Sequence, residues 1–274
     1  MPLNFNTNYL NNFPSPAQMV FARALNTCAN TLNSAVAIEV SAIWGVNLPG
    51  GLTAVCVPNP IENFQNAPVR DTWYPSSLAD KLAGRDLKQG EPDLTIFFSN
   101  NANWHTGNGN PLHNQFDLES VALHELLHGL GFVGMFWVQG GWPSTGSYGN
   151  DALINHVNAV VQDTGQQLGF QLPNLNNHPS VYGSHIQDLG GDQLTNPGRY
   201  TNNSTNLGAP LVSNNLFFDL NRYQVYAPNP FEPFASVDHL NDRNSLMRPS
   251  IEPGQRVRAV DAPVLQILNE LGWL

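Results

Sequence analysis

His124-Glu125-Leu126-Leu127-His128, followed by Gly129-Leu130-Gly131, sets two imidazoles four residues apart with a carboxylate beside the first. On a helix, positions four apart share a face, so both rings can reach one metal ion. The adjacent glutamate can take a proton from a water on that ion. This is the chemistry of a zinc-dependent hydrolase, most often a peptidase. The plainer reading is a buried helix whose histidines happen to fall four apart; the flanking residues weigh against it. Two ring nitrogens do not complete a catalytic zinc site, which generally takes three protein ligands. Six further histidines could supply the third: His105, His113, His156, His178, His185 and His239. Each of them alone is more ordinary as a surface or hydrogen-bonded side chain.

The elements that must position these groups can be read from pattern. Asp117 suits the N-cap of the H-E-x-x-H helix, with Leu123, Leu127 and Leu130 on its core face. Gly129 and Gly131 supply its stop. Residues 15–33 read as an earlier helix, with Val20, Phe21, Ala24, Leu25, Cys28 and Leu32 on one face. Strands are expected over 36–44, 53–57 and 93–99, a loop over 58–76 and a short helix over 77–82. Beyond the metal helix, 151–162 reads as helix. The stretch from about 165 to 235 is loop-rich, with short strands near 215–218 and 223–226. Pro263 to Leu271 closes the chain as a helix capped by Gly272. The organisation expected is α+β: one catalytic domain over 1–274, with an N-terminal lobe (1–134) and an irregular C-terminal lobe (135–274). The first lobe would hold a twisted mixed sheet and two long helices.

Composition narrows the partners. The chain has 274 residues, 41 % hydrophobic and only 12 % charged, with a net charge of −10. No basic stripe is available to neutralise phosphates, so nucleic acid is not expected. No run of about 18 apolar residues appears, so no spanning helix is expected. Residues 1–6 lack the features of a signal peptide. Scarce lysine and Asn/Gly/Pro-rich loops nonetheless favour a secreted, extracellular protein. Asn202-Asn203-Ser204 and Asn203-Ser204-Thr205 are acceptor sequons, relevant only to a eukaryotic secretory route. Cys28 and Cys56, an isolated pair in such a chain, are expected to form one disulfide.

His124, Glu125, His128 and Gly131 resemble the metzincin metallopeptidases, whose pattern is H-E-x-x-H-x-x-G-x-x-H. Asn244-Ser245-Leu246-Met247-Arg248-Pro249 looks like the Met-turn of that clan. The chain departs from the pattern at the third ligand, where Gly134 has no donor side chain. Val237-Asp238-His239-Leu240 shortly precedes Met247, a layout similar to the leishmanolysin type, in which a long insertion separates the helix from the third histidine. Gly84-Arg85-Asp86-Leu87, Tyr226-Ala227-Pro228 and the ending Asp261 to Trp273 look like secreted bacterial members of that group. The resemblance implies a metzincin-like fold and a zinc ion held by His124, His128 and His239. His156 and His185 remain rivals for the third place.

The resemblance further implies hydrolysis of peptide bonds in a protein or peptide substrate, with Glu125 as general base. Met247 would form an apolar floor beneath the zinc, and an edge strand near Ile96 to Ser99 would pair with extended substrate. No residue matches the tyrosine that some metzincins add, so no oxyanion donor is named. A binding or adhesion module that keeps the zinc-stabilised fold without turnover is the alternative, and Glu125 argues against it. A zinc hydrolase of non-peptide amides or esters is a third possibility.

Overall fold

Leu94, Ile96 and Phe98 alternate with Thr95 and Phe97, and all five side chains are buried, so this strand is covered on both faces. The computed structural model describes residues 1–134, 136–138, 146–148, 168–171, 173, 178–188, 190–191, 193, 216–218, 223–228, 232 and 235–274. Its first half contains β1 (Phe5–Leu10), α1 (Ser15–Thr31), β2 (Ile38–Val46), β3 (Ala54–Pro58) and the short β4 (Pro60–Glu62) and β5 (Trp73–Pro75). These are followed by α2 (Ser76–Ala83), β6 (Leu94–Ser99), β7 (Trp104–His105), β8 (Phe116–Asp117) and α3 (Leu118–Gly129). The main sheet has the order β1-β2-β6-β3. β1, β2 and β6 run parallel, and β3 runs antiparallel to β6 on the outside.

The two faces of this sheet bury different partners. Val40, Ala42, Leu94, Ile96 and Phe98 join the apolar cluster of α1 and α3. Ile43, Val57 and Phe97 join a smaller cluster with Leu48 and Leu168. Phe98 meets Phe13 and Phe21 edge-on at 5.6 and 5.9 Å, a favoured aromatic geometry that ties α1 to the sheet. α3 packs against α1, β3 and β6. In the rest of the chain, Ile186–Asp188, Leu216–Phe218 and Tyr223–Val225 form an antiparallel three-stranded sheet. Phe136–Val138 pairs with Gly146–Tyr148. The helix Ala262–Leu271 is capped by Asp261 at its start and by Gly272, with φ 107°, at its end. No helix among the described residues is long and apolar enough to cross a membrane.

The α+β class agrees with the expectation, as do the helices starting at 15, 76 and 262 and the strands at 38, 54, 94, 216 and 223. Several readings differ. β1 was not expected, although Phe5, Thr7 and Tyr9 alternate with asparagines; the short period-two run pairs alongside β2. The expected loop 58–76 contains the β4–β5 ladder. β6 is not an edge strand: β2 and β3 flank it, and β3 forms the outer edge of the sheet among the described residues. Cys28 and Cys56 are free thiols, not a disulfide. Cys28 is sealed in the core on α1, where burial pushes its thiol up to about 12. The Cys56 sulfur instead faces Gly129 on α3. The expected helix 151–162, with His156, and the two sequons lie outside the described residues.

Candidate metal centre

α3 starts where Asp117 accepts a hydrogen bond from the Ser120 amide at 3.1 Å. Every residue of the helix except His128 is buried, so it has no single core stripe and runs through the interior. The face of Leu123, Leu127 and Leu130 is only part of what it packs. Gly129 is helical rather than left-handed; a Cβ there would lie 2.6 Å from Leu94 Cδ2 and 3.0 Å from the Cys56 sulfur. Its missing side chain therefore lets α3 approach the sheet closely. Gly131, with φ 120°, makes the turn that ends the helix. Two bonds hold that end: Ser77 Oγ donates to the Gly129 carbonyl at 2.8 Å, and Trp273 Nε1 donates to the Leu130 carbonyl at 2.6 Å.

His124 and His128 project from α3 to meet His239. The three Nε2 atoms lie 3.0 Å (124–128), 3.1 Å (124–239) and 3.2 Å (128–239) apart. Each Nδ1 faces a backbone carbonyl: Leu246 O at 2.8 Å from His124, Phe132 O at 2.6 Å from His128, and Ala235 O at 2.8 Å from His239. A carbonyl only accepts, so each Nδ1 carries the proton and each Nε2 of the neutral ring presents a lone pair. Burial lowers His124 to about 4 and His239 to about 3, and takes His128 well below its ordinary value. At neutral pH three lone pairs thus converge without a proton between them, and that arrangement is repulsive unless a cation accepts them. For tetrahedral Zn–N bonds near 2.05 Å, the nitrogens would stand about 3.3 Å apart, close to the separations seen. These three side chains can hold a metal ion.

His239 arrives by a long route. Its segment runs beside Tyr223–Val225 and beyond: Val237 N donates to Tyr226 O, Tyr226 N to His239 O, and Asn241 N to Gln224 O, each at 2.8 Å. Leu240 N then donates to Met247 O at 2.7 Å, closing the turn that follows His239. Met247 is fully buried. Val237 has φ 72°, a left-handed conformation that a β-branched residue rarely takes; strain of this kind costs about 1–3 kcal/mol. Gly134, where the metzincin pattern has a histidine, lies against this segment: a Cβ there would be 2.6 Å from Val237 O.

Glu125 is buried next to His124, and its carboxylate accepts a hydrogen bond from the Cys56 backbone amide on β3. Burial raises its carboxyl to about 8, against the pull of that bond. A divalent cation alongside would draw it back down. The carboxylate therefore lies close to the outer strand of the sheet.

Three other described histidines have partners of their own. His185 stacks on Phe218 with centroids 5.1 Å apart, His178 pairs with Glu62 at 2.7 Å, and His105 meets the Gly109 carbonyl at 3.2 Å. Among the described residues only His124, His128 and His239 converge. Sequence reading missed the groups that aim them, because the carbonyls of Leu246, Phe132 and Ala235 have no residue-type signal. Asp261 could have been found, as an acidic residue just before an Ala-Pro helix start. Its carboxylate accepts from the Leu246 amide at 2.7 Å and from Ser245 Oγ at 3.1 Å, as well as capping the last helix. One residue, Leu246, thus links Asp261 to the ring of His124 through its amide and its carbonyl. Comparison with protein-family models, with curated proteins and with solved structures gave no match.

Proposed function

We propose that the chain is a zinc-dependent endopeptidase of the metzincin clan, leishmanolysin-like in the long insertion before its third ligand. The observation that carries this reading is the convergence of three Nε2 lone pairs beside a buried carboxylate at the sheet edge. His124, His128 and His239 would hold the ion, which when bound supplies Lewis acidity to polarise a carbonyl and acidify a water. Glu125 would act as the general base: with its pKa drawn towards neutrality it could take a proton and return it to a leaving amine. β3, rather than β6, is the strand that would pair with extended substrate, because its outer side has no strand partner among the described residues. His124 and His239 are buried and His128 partly so, which limits the water around a bound charge. The sparse charge and low lysine content support a secreted setting for this activity.

One observation favours the alternative, a zinc-stabilised binding module without turnover. The Glu125 carboxylate is already engaged by the Cys56 amide, so part of its capacity serves to join α3 to the sheet. Zinc analysis and cleavage of an unstructured protein such as casein separate the two. On the peptidase reading, wild type holds one zinc and cleaves, while Glu125→Gln keeps the zinc and loses at least about a hundredfold in kcat/KM. Zinc-loaded wild type that cleaves no protein or peptide would establish the binding module. Cleavage of small esters or non-peptide amides alone would shift the reading to another carbonyl substrate.

A further inference from the structure

The first turn of α3 is held by a residue from the far end of the chain. Asp117 is fully buried, and its carboxylate takes four hydrogen bonds: Ser120 N at 3.1 Å, Ser120 Oγ at 2.6 Å, Arg258 Nε at 2.9 Å and Arg258 Nη2 at 2.5 Å. The last two form the parallel fork that arginine makes with a carboxylate and lysine cannot. The same guanidinium reaches Glu119 at 3.2 Å and the carbonyls of Gly107 and Asn108 at 2.8 and 3.3 Å. Arg23 of α1 meets Glu119 from the other side at 2.7 Å. Val257, next to Arg258, donates its amide to Ser120 Oγ at 2.7 Å. The strap Val257–Arg258 therefore lies across the start of the metal helix.

That strap also leads to the other half of the site. A few residues on, Asp261 holds the Leu246 amide, and the Leu246 carbonyl holds His124 Nδ1. One short run of chain thus fixes both where α3 begins and where the carbonyl that aims His124 stands. His124 lies two turns below Asp117, about 10 Å along a rigid helix, so displacement of the first turn is carried to its ring. Misplacing one nitrogen by a fraction of an ångström is enough to weaken a three-nitrogen site.

We infer that Arg258 is a positioning residue for the metal centre, setting the register of α3 against the Leu246–Met247 turn and so the meeting of His124 and His128 with His239. The inference rests on the metal reading above and does not depend on what is hydrolysed.

The test is cobalt(II) binding to metal-free protein, read by chelator competition and by the visible absorption of the bound ion, alongside melting temperature. Arg258→Met strands the Asp117 charge, so it should both lower the melting temperature and weaken cobalt binding by about tenfold or more. Asp117→Asn with Arg258→Met leaves no stranded charge. It should regain most of the melting temperature, yet keep the weakened affinity and an altered absorption band. A purely structural ion pair would instead let affinity and band return together with stability, and that result overturns the inference. So does wild-type cobalt binding in the single variant. Should both fail to fold, Arg258→Lys keeps the charge without the fork, and unchanged cobalt affinity there overturns it equally. Wild type that binds no cobalt removes the metal reading and this inference with it, whereas cobalt binding without proteolysis removes only the peptidase reading.

Discussion

The backbone amide of Gly134 donates to the Asp238 carboxylate at 2.6 Å. Gly134 occupies the position at which the metzincin pattern carries its third histidine, and Asp238 precedes the histidine that arrives instead. The missing side chain at Gly134 and the segment that carries His239 are therefore parts of one contact. Ser180 Oγ closes the other side, donating to the carbonyls of Val133 and Gly134 at 2.6 and 3.1 Å.

Gly134→Ala should uncouple that contact. The new Cβ would stand 2.6 Å from Val237 O, a backbone atom that cannot swing away, and 3.0 Å from Val237 Cγ1. The segment holding His239 must shift, at a cost of about 1–3 kcal/mol in stability. The expected result is a lower melting temperature together with loss of tightly held zinc, measured by metal analysis after dialysis. Full zinc retention in a stable Gly134→Ala variant would show that the His239 segment does not need this docking.

His239→Ala should reduce zinc affinity by several orders of magnitude, since two nitrogens remain of three. His185→Ala should leave zinc in place, because that ring stacks on Phe218 and takes no part in the cluster. Competition with a chromogenic chelator compares the two. Equal loss in both variants would contradict the ligand set.

Asp80 and Asp93 should contribute stability that is lost as pH rises through the acid and neutral range. Both carboxyls are buried. Burial, with Asp93 and then Asp86 nearby, pushes Asp80 up to about 7; burial, with Asp86 and Glu39, pushes Asp93 up to about 6 despite bonds from Ser76 Oγ and the Glu39 amide. Lys88, the nearest cation, spends its ammonium on the side chain of Asn59 and the Pro60 carbonyl. The folded chain therefore keeps protons that the unfolded chain has released above its ordinary value of 3.8. This contribution is complete below about pH 4 and is lost as pH climbs through about 6 and 7. Asp80→Asn should flatten the melting profile between about pH 5 and about pH 8, raising the upper end by roughly 2–8 °C relative to wild type. An unchanged slope would exclude this pair as its source.

Two thiols should titrate per chain under denaturing, non-reducing conditions, because Cys28 and Cys56 face different neighbours. In the native protein neither should react quickly. Burial lifts the Cys28 thiol to about 12, and burial with the nearby Glu125 lifts Cys56 well above its ordinary value. Absence of titratable thiol would restore the disulfide.

Two of the histidines and the glutamate between them were legible because helical periodicity is local: positions 124, 125 and 128 lie within little more than one turn, whatever the rest of the chain does. The Asp117 cap and the Gly131 and Gly272 turns were legible for the same reason, as were the apolar face of α1 and the extent of β6. The third histidine of the cluster was not. His239 and His185 look alike as residues, and resemblance to a family, not periodicity, favoured the former. What separates them is that Val237 to Asn241 pairs with the strand before it and docks on Gly134, a contact that spans about a hundred residues of chain and leaves no short-range pattern. Tertiary structure likewise decided that β3 rather than β6 forms the sheet edge, that the cysteines stay apart, and that three backbone carbonyls orient the imidazoles. Sequence alone supplied the groups able to bind a cation; only the long-range contacts that bring His239 and the Leu246 carbonyl to α3 gathered all three lone pairs at one point.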